Sequence, residues 1–399
     1  MKILLVNKFL YPKGGAETYV FKLGETLQKM GHEVEYFGMY HKDNIVENSS
    51  GQYTSNMDFH GDSFIKMISD SVKIIYSLEA RKKIRKVLDD FEPDVCHLNN
   101  FNYQLTPSII LEIVKWRKEN KRKCKIVYTA HDLQLVCPNH LMMHPATGEI
   151  CEKCLEGKFY NCVTEKCVHG SWAKSVFGAI EAYYWNAKKV YGYLDAVISP
   201  SKFLAEKLKL CRELNNKIIV IQNFISISKV KTVTKSDYVL YFGRYSKEKG
   251  VENLLEAIDM MPEVKFVFAG SGPLETEIER RKNVVNRGFL KGASLAKLVS
   301  EAEFSVVPSV CYENCPFSVI ESCAYGTPVL GADIGGIPEL IDNGKTGELF
   351  ESGNVSILTK KIKEMHNNKE KLGLYHENCR ESSYLTVEEY CEKLMKVYF

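Results

Sequence analysis

Short apolar runs alternate with stretches of helical apolar spacing along almost the whole chain. The first run, at residues 2–9, leads into Gly14-Gly15 and then into a helix-spaced set of apolar residues that ends at Gly31. Strand, glycine turn and helix form the opening unit of a doubly wound parallel sheet. The same pattern predicts further strands at residues 33–38, 93–98, 125–130, 195–201, 217–223, 238–243, 264–270, 284–290, 304–308, 328–331 and 348–350.

The alternation of predicted strands and helices ends near residue 225 and then starts again. This restart predicts two domains. The chain has 399 residues, more than one hydrophobic core usually serves. Residues 226–236 are biased towards Ser, Thr and Lys without apolar periodicity and predict a linker. The predicted fold class is therefore α/β, with two doubly wound, Rossmann-like parallel-sheet domains that face a cleft. We expect these domains at residues 1–225 and 226–380, with a terminal helix, 381–399, crossing back onto the first.

Composition and charge narrow the choice of partners and location. A formal charge of +3 is too small to favour a nucleic-acid partner. The first apolar run is too short for a signal peptide, and no later run approaches the roughly 18 residues of a membrane span, which predicts a cytoplasmic protein. Residues 64–91 combine helical apolar spacing with interleaved basic residues. That pattern is typical of peripheral contact with the inner membrane face, or of a solvated face over a core.

Two glutamates, Glu313 and Glu321, mark the candidate chemistry of the second half. Glu313 follows the strand at 304–308, and Glu321 lies about one turn into the next helix, whose mouth is at Phe317-Ser318. The free N–H groups and positive dipole end of such a helix suit a diphosphate. Carboxylates accept hydrogen bonds from sugar and ribose hydroxyls. In the alternative interpretation, Glu321 caps a helix end and Glu313 is a solvated loop residue.

The first half offers two features at the corresponding edge of its sheet. Gly14 and Gly15 let the backbone come close to a ligand at the carboxyl end of the first strand. They do not form a G-x-G-x-x-G fingerprint, so a nicotinamide cofactor is not indicated. His131 directly follows the strand at 125–130 and faces the same crevice, although a lone histidine there is more often structural.

Thirteen cysteines in a cytoplasmic chain favour free thiols or a metal over disulfides. Residues 137–169 contain a C-x-x-C pair with further thiols and His169 nearby, in a stretch with little apolar periodicity. Four thiolates can hold a structural zinc ion that supports a loop without its own core. Alternatively, the cysteines are reduced and pack as small hydrophobes. The fourth ligand is ambiguous, and the tentative zinc ligands are Cys137, Cys151, Cys154 and Cys167.

The ordered motifs together resemble the retaining glycosyltransferases of family 4, which have the GT-B architecture. Two wound domains, a glycine-rich first loop, the segment from Gly243 to Gly250 and the paired glutamates carry this resemblance over nearly the whole chain. A cysteine-rich segment is similar to one in a subset of the family. The implied catalytic residues are His131, Glu313, Arg244 and Lys249, and the implied donor-binding residues are Gly14, Gly15, Gly243, Gly270, Phe289, Leu290, Asn314, Pro316, Phe317, Ser318, Val319 and Glu321.

The resemblance also implies roles. Arg244 and Lys249 would hold the donor diphosphate, Glu321 the ribose hydroxyls, and Glu313 hydroxyls of the transferred sugar, with His131 beside that sugar. The donor would be a UDP- or GDP-sugar, and the acceptor a glycan or lipid-linked glycan in surface polysaccharide synthesis. Transfer would be of a hexose and retaining, with the leaving phosphate oxygen taking the acceptor proton and no cofactor for catalysis.

Two features qualify that expectation. No D-x-D triplet occurs in the sequence, so a metal-bridged diphosphate is not indicated, and Asn223-Phe224 stands where many relatives have Asn-Gly. A nucleotide-sugar epimerase of the same architecture and a non-catalytic, nucleotide-sugar-binding subunit are the alternative functions.

Overall fold

The predicted apolar runs form two separate parallel sheets. The computed structural model describes residues 1–56, 74–225 and 233–399. The first sheet contains β1 (Lys2–Val6), β2 (Glu33–Phe37), β3 (Val95–Leu98), β4 (Lys125–Thr129), β5 (Ala196–Ser199) and β6 (Ile218–Val220). Its strand order is β2-β1-β3-β4-β5-β6.

The second sheet repeats this six-stranded parallel arrangement. It contains β7 (Val239–Arg244), β8 (Phe266–Ser271), β9 (Val284–Asn286), β10 (Phe304–Val307), β11 (Val329–Ala332) and β12 (Gly347–Phe350). Its strand order is β12-β11-β10-β7-β8-β9. The predicted α/β class with two doubly wound sheets is thereby confirmed.

Helices occupy the connections between strands. In the described part of the chain they are α1 (Gly15–Lys29), α2 (Leu78–Phe91), α3 (Ser108–Glu119), α4 (Tyr160–Thr164), α5 (Trp172–Ala187), α6 (Lys202–Leu208), α7 (Val251–Asp259), α8 (Glu275–Glu279), α9 (Gly292–Glu301), α10 (Phe317–Ala324), α11 (Val355–Asn367), α12 (Lys369–Glu381) and α13 (Val387–Tyr398). Short 3₁₀ turns lie at Leu155–Gly157, Val190–Tyr193, Arg212–Leu214, Lys247–Lys249 and Ile337–Glu339.

Each sheet is buried on both faces, which explains why its strands read as continuous apolar runs. Along β1, Leu4 and Val6 pack into one core, and Ile3 and Leu5 pack into another on the opposite face. Residues of β7 divide in the same way between two cores of the second sheet. The faces of each sheet are thus covered by core side chains. The loops at the carboxyl ends of the strands build the site described below.

Helix α13 lies against the first sheet rather than the second. It begins with a capping box in which the Thr386 side chain and Glu389 exchange hydrogen bonds with each other's backbone N–H. The hydroxyl of Tyr390 lies 2.8 Å from that of Tyr19 in α1, and the hydroxyl of Tyr398 lies 2.6 Å from His97 Nδ1. These buried contacts join the end of the chain to its beginning.

The basic stretch before β3 forms α2, while residues 64–73 of the predicted helix lie outside the described residues. The apolar face of α2 is buried in the first core. Arg81 pairs with Glu112, and Arg85 pairs with Asp89 and Glu119. No helix in the described part of the chain combines the length and apolarity that crossing a membrane requires.

Several predicted strands are longer than the observed ones, and β9 and β6 are two examples. Strand β9 ends at Asn286, where the Asn286 side chain accepts from Gly288 N–H at 2.9 Å, and Gly288 adopts a left-handed turn (φ +64°). Strand β6 ends at Val220, three residues before Asn223 turns towards the second sheet. Most of the predicted linker, residues 226–232, lies outside the described residues.

Candidate functional site

The loops that follow the strands of the two sheets meet at one place. The Asn314 side-chain amide donates to the backbone oxygen of His131 at 2.7 Å, and the Asn223 amide donates to the backbone oxygen of Cys315 at 2.9 Å. A Cβ atom at Gly15 would lie 3.4 Å from the Phe317 ring. The structure thus brings the glycine loop and histidine of the first sheet against the glutamate loop of the second.

Glu313 is held in an ion pair within this junction. Its Oε1 lies 2.5 Å from Lys249 Nζ and accepts from the Ser309 hydroxyl at 2.8 Å. Only 11% of its side chain is exposed, so Glu313 is not a solvated loop residue. Burial alone would lower the pKa of Lys249, but the Glu313 carboxylate outweighs that effect and raises it. The pair therefore keeps a fixed positive charge next to an oxygen acceptor.

A glycine after Lys249 makes this pairing geometrically feasible. Gly250 has φ +69°, and a Cβ atom there would lie 1.8 Å from the backbone oxygen of Pro308. The backbone of the Lys249 turn thus packs directly on the loop that follows β10. This close approach lets Lys249 reach Glu313, 64 positions later in the chain.

A second glycine pair, Gly335-Gly336, packs against the backbone of the loop that carries Glu313. Gly336 N–H donates to the backbone oxygen of Glu313 at 2.6 Å. A Cβ atom on Gly336 would lie 1.9 Å from the backbone oxygen of Asn314. Sequence reasoning assigned these glycines no role, although their position just after the predicted strand at 328–331 was a usable signal.

The amino end of α10 is open towards the same junction. Pro316 precedes the helix, and no side chain caps it. Val319 N–H donates to the Pro316 oxygen at 3.1 Å, whereas the N–H groups of Phe317 and Ser318 have no acceptor within the described part of the chain. Two backbone donors and the positive end of the helix dipole are therefore available to an anion.

Glu321 lies one turn inside α10 and caps neither end of it. Its side chain is half-buried, and within the described part of the chain its carboxylate makes no hydrogen bond or ion pair. Burial raises the pKa of Glu321 to about 7. A half-buried carboxyl group without a protein partner can accept hydrogen bonds from the hydroxyl groups of a bound ligand.

His131 is oriented by a residue that sequence reasoning missed. The Asn99 amide nitrogen donates to the backbone oxygens of Val6 and His97, so its oxygen accepts from His131 Nε2–H at 2.9 Å. Burial lowers the pKa of His131 to about 4, and the nearby Asp132 carboxylate opposes this only in part. His131 is therefore neutral at pH 7. Asn99 follows β3 as His131 follows β4, which was the available signal.

The other predicted donor residues are spread around this centre. Arg244 ends β7 with 71% of its side chain exposed and lies 4.0 Å from Glu248. Gly243 and Gly270 are paired neighbours on β7 and β8. Phe289 is 73% exposed, and Leu290 packs against the second core. The structure does not bring these residues into contact with the glutamates. The four predicted zinc ligands are grouped elsewhere, around one cavity.

Comparison with known protein families identifies the family of this chain. Residues 13–229 match the model described as "Glycosyltransferase Family 4", and residues 223–382 match "Glycosyl transferases group 1". The chain belongs to glycosyltransferase family 4. The family 4 match covers more than half of the chain and includes the glycine loop and His131. The group 1 match includes Lys249 and both glutamates.

Individual relatives agree with this family 4 assignment. The "Uncharacterized glycosyltransferase MJ1178" of Methanocaldococcus jannaschii is 30% identical over 222 residues, which are 54% of this chain and 62% of that protein. The chain thus spans less than two thirds of this relative.

Solved structures agree with the two-sheet fold over nearly the full length. Anabaena HepE, solved with UDP and glucose, has a TM-score of 0.66 at 17% identity and covers 99% of this chain and 98% of its own. The lipopolysaccharide outer core galactosyltransferase WaaB has a TM-score of 0.63 at 16% identity, covering 100% and 99%. At these identities the likeness establishes the GT-B fold alone.

Proposed function

We propose that this family 4 protein transfers a sugar from a nucleoside-diphosphate sugar to a glycan or lipid-linked glycan. One observation carries the proposal: the Glu313–Lys249 pair and the unpartnered Glu321 flank the open amino end of α10, and Gly15 and His131 close the opposite side. The second sheet, within residues 226–380, would bind the donor, and residues 1–225 would bind the acceptor.

A nucleoside-diphosphate sugar would supply hydrogen-bond partners to the groups of the site that lack them. The Phe317 and Ser318 N–H groups would bind the diphosphate, and Glu321 would accept from the ribose hydroxyls. Glu313 would accept from hydroxyls of the transferred sugar, with its lone pairs not used by Lys249. HepE was solved with UDP and glucose, which supports a UDP-sugar, while a GDP-sugar fits the same groups.

Charge on the leaving nucleotide would be stabilised by protein groups. Lys249 stays protonated, because Glu313 raises its pKa, and the exposed Arg244 guanidinium can close onto the phosphates. Together with the end of α10 these groups provide positive charge without a metal-bridged diphosphate. This arrangement supports metal-independent transfer.

We infer a retaining reaction in which the leaving phosphate oxygen takes the acceptor proton. The bond between the anomeric carbon and that oxygen breaks, and the acceptor oxygen bonds to the same face of the sugar as its proton passes to the phosphate. Glu313 is committed to Lys249, and His131 has a pKa of about 4, so it is a weak base. Both residues are better suited to positioning the sugar than to removing a proton.

The acceptor would approach from the first sheet. WaaB, which shares the fold, is named as a transferase of the lipopolysaccharide outer core, and this name supports a surface glycan as acceptor.

The apolar face of α2 is buried in the core, so peripheral membrane contact through that helix would depend on its exposed basic residues alone. Membrane contact of α2 would therefore be electrostatic, without insertion of the helix.

The test is a screen of UDP- and GDP-sugars with glycan acceptors, followed by nucleotide release. We expect one donor to support acceptor-dependent transfer of a hexose, and Lys249→Ala to reduce the rate about 100-fold by removing charge stabilisation. Lys247→Ala is the matched control, since Lys247 lies in the same turn with 75% of its side chain exposed and pairs with Glu252, not with Glu313.

Two outcomes would overturn the proposal. Conversion of the donor sugar without any acceptor would identify an epimerase, and nucleotide-sugar binding without turnover on any acceptor would identify a binding subunit. The NMR coupling constant of the product's anomeric proton tests retention separately. An inverted configuration would rule out the same-face mechanism while leaving transfer itself established.

A further inference from the structure

The cysteine-rich segment, residues 137–169, encloses a small cavity that none of the predicted catalytic or donor-binding residues lines. The cavity has a volume of about 10 Å³, room for roughly one water-sized atom or ion. Its lining includes four cysteines together with apolar side chains such as Val136, Met142 and Leu155. All thirteen cysteines are free thiols, and the four that face the cavity are Cys137, Cys151, Cys154 and Cys167.

This segment has little structure of its own to hold those cysteines in place. Its regular elements are α4, one 3₁₀ turn and an isolated bridge between Met143 and Ile150. The turn at 143–150 brings Cys151 back under Met142, where Cys151 N–H donates to the Met142 oxygen at 2.8 Å. The local apolar cluster is small and consists of Cys154, Phe159, Cys162, Cys167 and Ala179.

The backbone here is also unusually strained. Five of the ten non-glycine residues with positive φ in the described chain lie in these 33 positions. Such conformations persist only where surrounding interactions fix them. A small apolar cluster and short helices are weak constraints, so a further constraint is expected. The five residues are His140, Met142, Glu156, Lys166 and His169.

We propose that Cys137, Cys151, Cys154 and Cys167 bind one zinc ion that fixes this segment. Four cysteines line one small cavity, two of them from a C-x-x-C turn, and four thiolates are a donor set of closed structural zinc sites. Each thiol gives its proton to solvent on binding, and no oxidation step is involved.

The structure narrows the set of ligands that the sequence left ambiguous. Cys162 is fully buried in the neighbouring apolar cluster and is absent from the cavity lining. His169 lines a separate surface depression together with His144. The cavity lining therefore favours Cys137, Cys151, Cys154 and Cys167 as the zinc ligands over Cys162 and His169.

Zinc would draw the four sulfur atoms inwards. A Zn–S bond is about 2.3 Å long. In the described chain, no three of these sulfur atoms all lie within 4.8 Å of one another. The single group that meets that distance is Asp237, Glu303 and His366, and the Lys369 ammonium already pairs with its two carboxylates. The cysteine cavity is thus the better candidate for a bound cation.

The C-x-x-C turn at residues 151–154 is also connected to the proposed donor site by a hydrogen bond. Glu152, between Cys151 and Cys154, accepts from the Tyr312 hydroxyl at 2.7 Å and pairs with Lys207. Tyr312 immediately precedes Glu313. Fixing the C-x-x-C turn would therefore fix Glu152 against the glutamate loop, which makes Glu152 a positioning residue. This second step rests on the proposed function, whereas zinc binding does not.

The first experiment measures metal and thiols in the full chain purified without chelator. We expect one zinc ion per chain, and loss of most of that zinc in Cys154→Ser but not in the matched variant Cys211→Ser, a buried cysteine outside the cavity. Wild-type protein without near-stoichiometric zinc, or with disulfides among the four cysteines by intact mass, would overturn the proposal.

A measurement on the wild-type chain covers the case in which Cys154→Ser fails to fold. Treatment with a strong chelator should make the four cysteines reactive to iodoacetamide, as read by peptide mass spectrometry, and should lower Tm. An alkylation pattern that chelation leaves unchanged would contradict zinc binding at these residues.

The second experiment tests the link to the donor loop. Glu152→Gln should retain one zinc per chain, because Glu152 is not a ligand, and should raise the donor KM about 3- to 10-fold with a smaller effect on kcat. Tyr312→Phe should reproduce that effect, and the double variant should add nothing further. Additive effects, or none, would remove the positioning role. Wild-type protein that contains zinc but has no transferase activity would refute the proposed function alone.

Discussion

The carboxyl group of Glu321 lacks hydrogen-bond donors from the described residues around it. It is half-buried one turn inside α10 and makes no hydrogen bond or ion pair in the described part of the chain. Its pKa of about 7 reports that burial disfavours the charged form. Ribose hydroxyls would supply the missing donors, so donor binding and ionisation of Glu321 should be coupled.

Glu321 should make folding stability fall as pH rises. Its folded-state pKa of about 7 lies above the ordinary value of 4.5, so its contribution is fully present below about pH 4.5 and is lost as pH rises through 7. Glu321→Gln removes this loss. The variant should gain up to about 3 kcal/mol over wild type between pH 4.5 and pH 8, because one pKa unit corresponds to 1.36 kcal/mol.

Urea unfolding at both pH values measures this difference. Gln is the appropriate replacement because it keeps the side-chain volume while removing the titration. A stability difference between the two proteins that does not change with pH would contradict the assigned burial of the carboxyl group.

At the scale of elements, the sequence predicted the strands well and the loops between them poorly. Strands such as β1 and β7 are buried on both faces, so a local apolar run carries their full signal. The Glu313–Lys249 pair joins residues 64 positions apart through the close backbone contact at Gly250, and no local pattern encodes that contact. The resemblance of ordered motifs, not periodicity, pointed to these residues.

Replacement of Gly250 by alanine should break this element-scale contact. The new Cβ atom would clash with the Pro308 oxygen at 1.8 Å, displacing the turn that carries Lys249. Gly344→Ala is the matched control, since Gly344 also has positive φ (+83°) but open space around it. We expect Gly250→Ala to cost about 1–3 kcal/mol more than the control. It should also reduce transfer.

Urea unfolding and the nucleotide-release assay measure the two effects. Equal loss of stability in both glycine variants would show that backbone strain alone, without the Pro308 contact, accounts for the result.

Across the whole molecule, the two sheets are joined by polar contacts close to the cleft. The Glu339 carboxylate accepts from the backbone N–H groups of Lys202 and Phe203, at 2.8 and 2.7 Å, and so caps α6 from the other sheet. Asn314 and Asn223 add the two amide contacts described above. These contacts depend on how the two sheets meet, which explains why no local sequence pattern predicted the role of Glu339.

Removal of the Glu339 carboxylate should loosen this junction. In Glu339→Ala the amides of Lys202 and Phe203 lose their acceptor, so their hydrogen exchange should become about 5-fold faster or more, as a lost cap costs roughly 1 kcal/mol or more. Glu377→Ala, a change at an exposed glutamate of α12, is the control. Unchanged exchange at residues 202 and 203 would show that the contact is not maintained in solution.

The account as a whole depends on a nucleotide-sugar donor held by the second sheet. The most direct measurement is calorimetric binding of the donor identified by the screen and of its 2′,3′-dideoxy analogue, to wild type and to Glu321→Gln. Wild type should bind the intact donor about 10-fold more tightly or better, as expected when a buried charged acceptor loses its partner, and Glu321→Gln should discriminate far less. Equal discrimination by both proteins would contradict the assignment of Glu321 to the ribose and with it the proposed orientation of the donor.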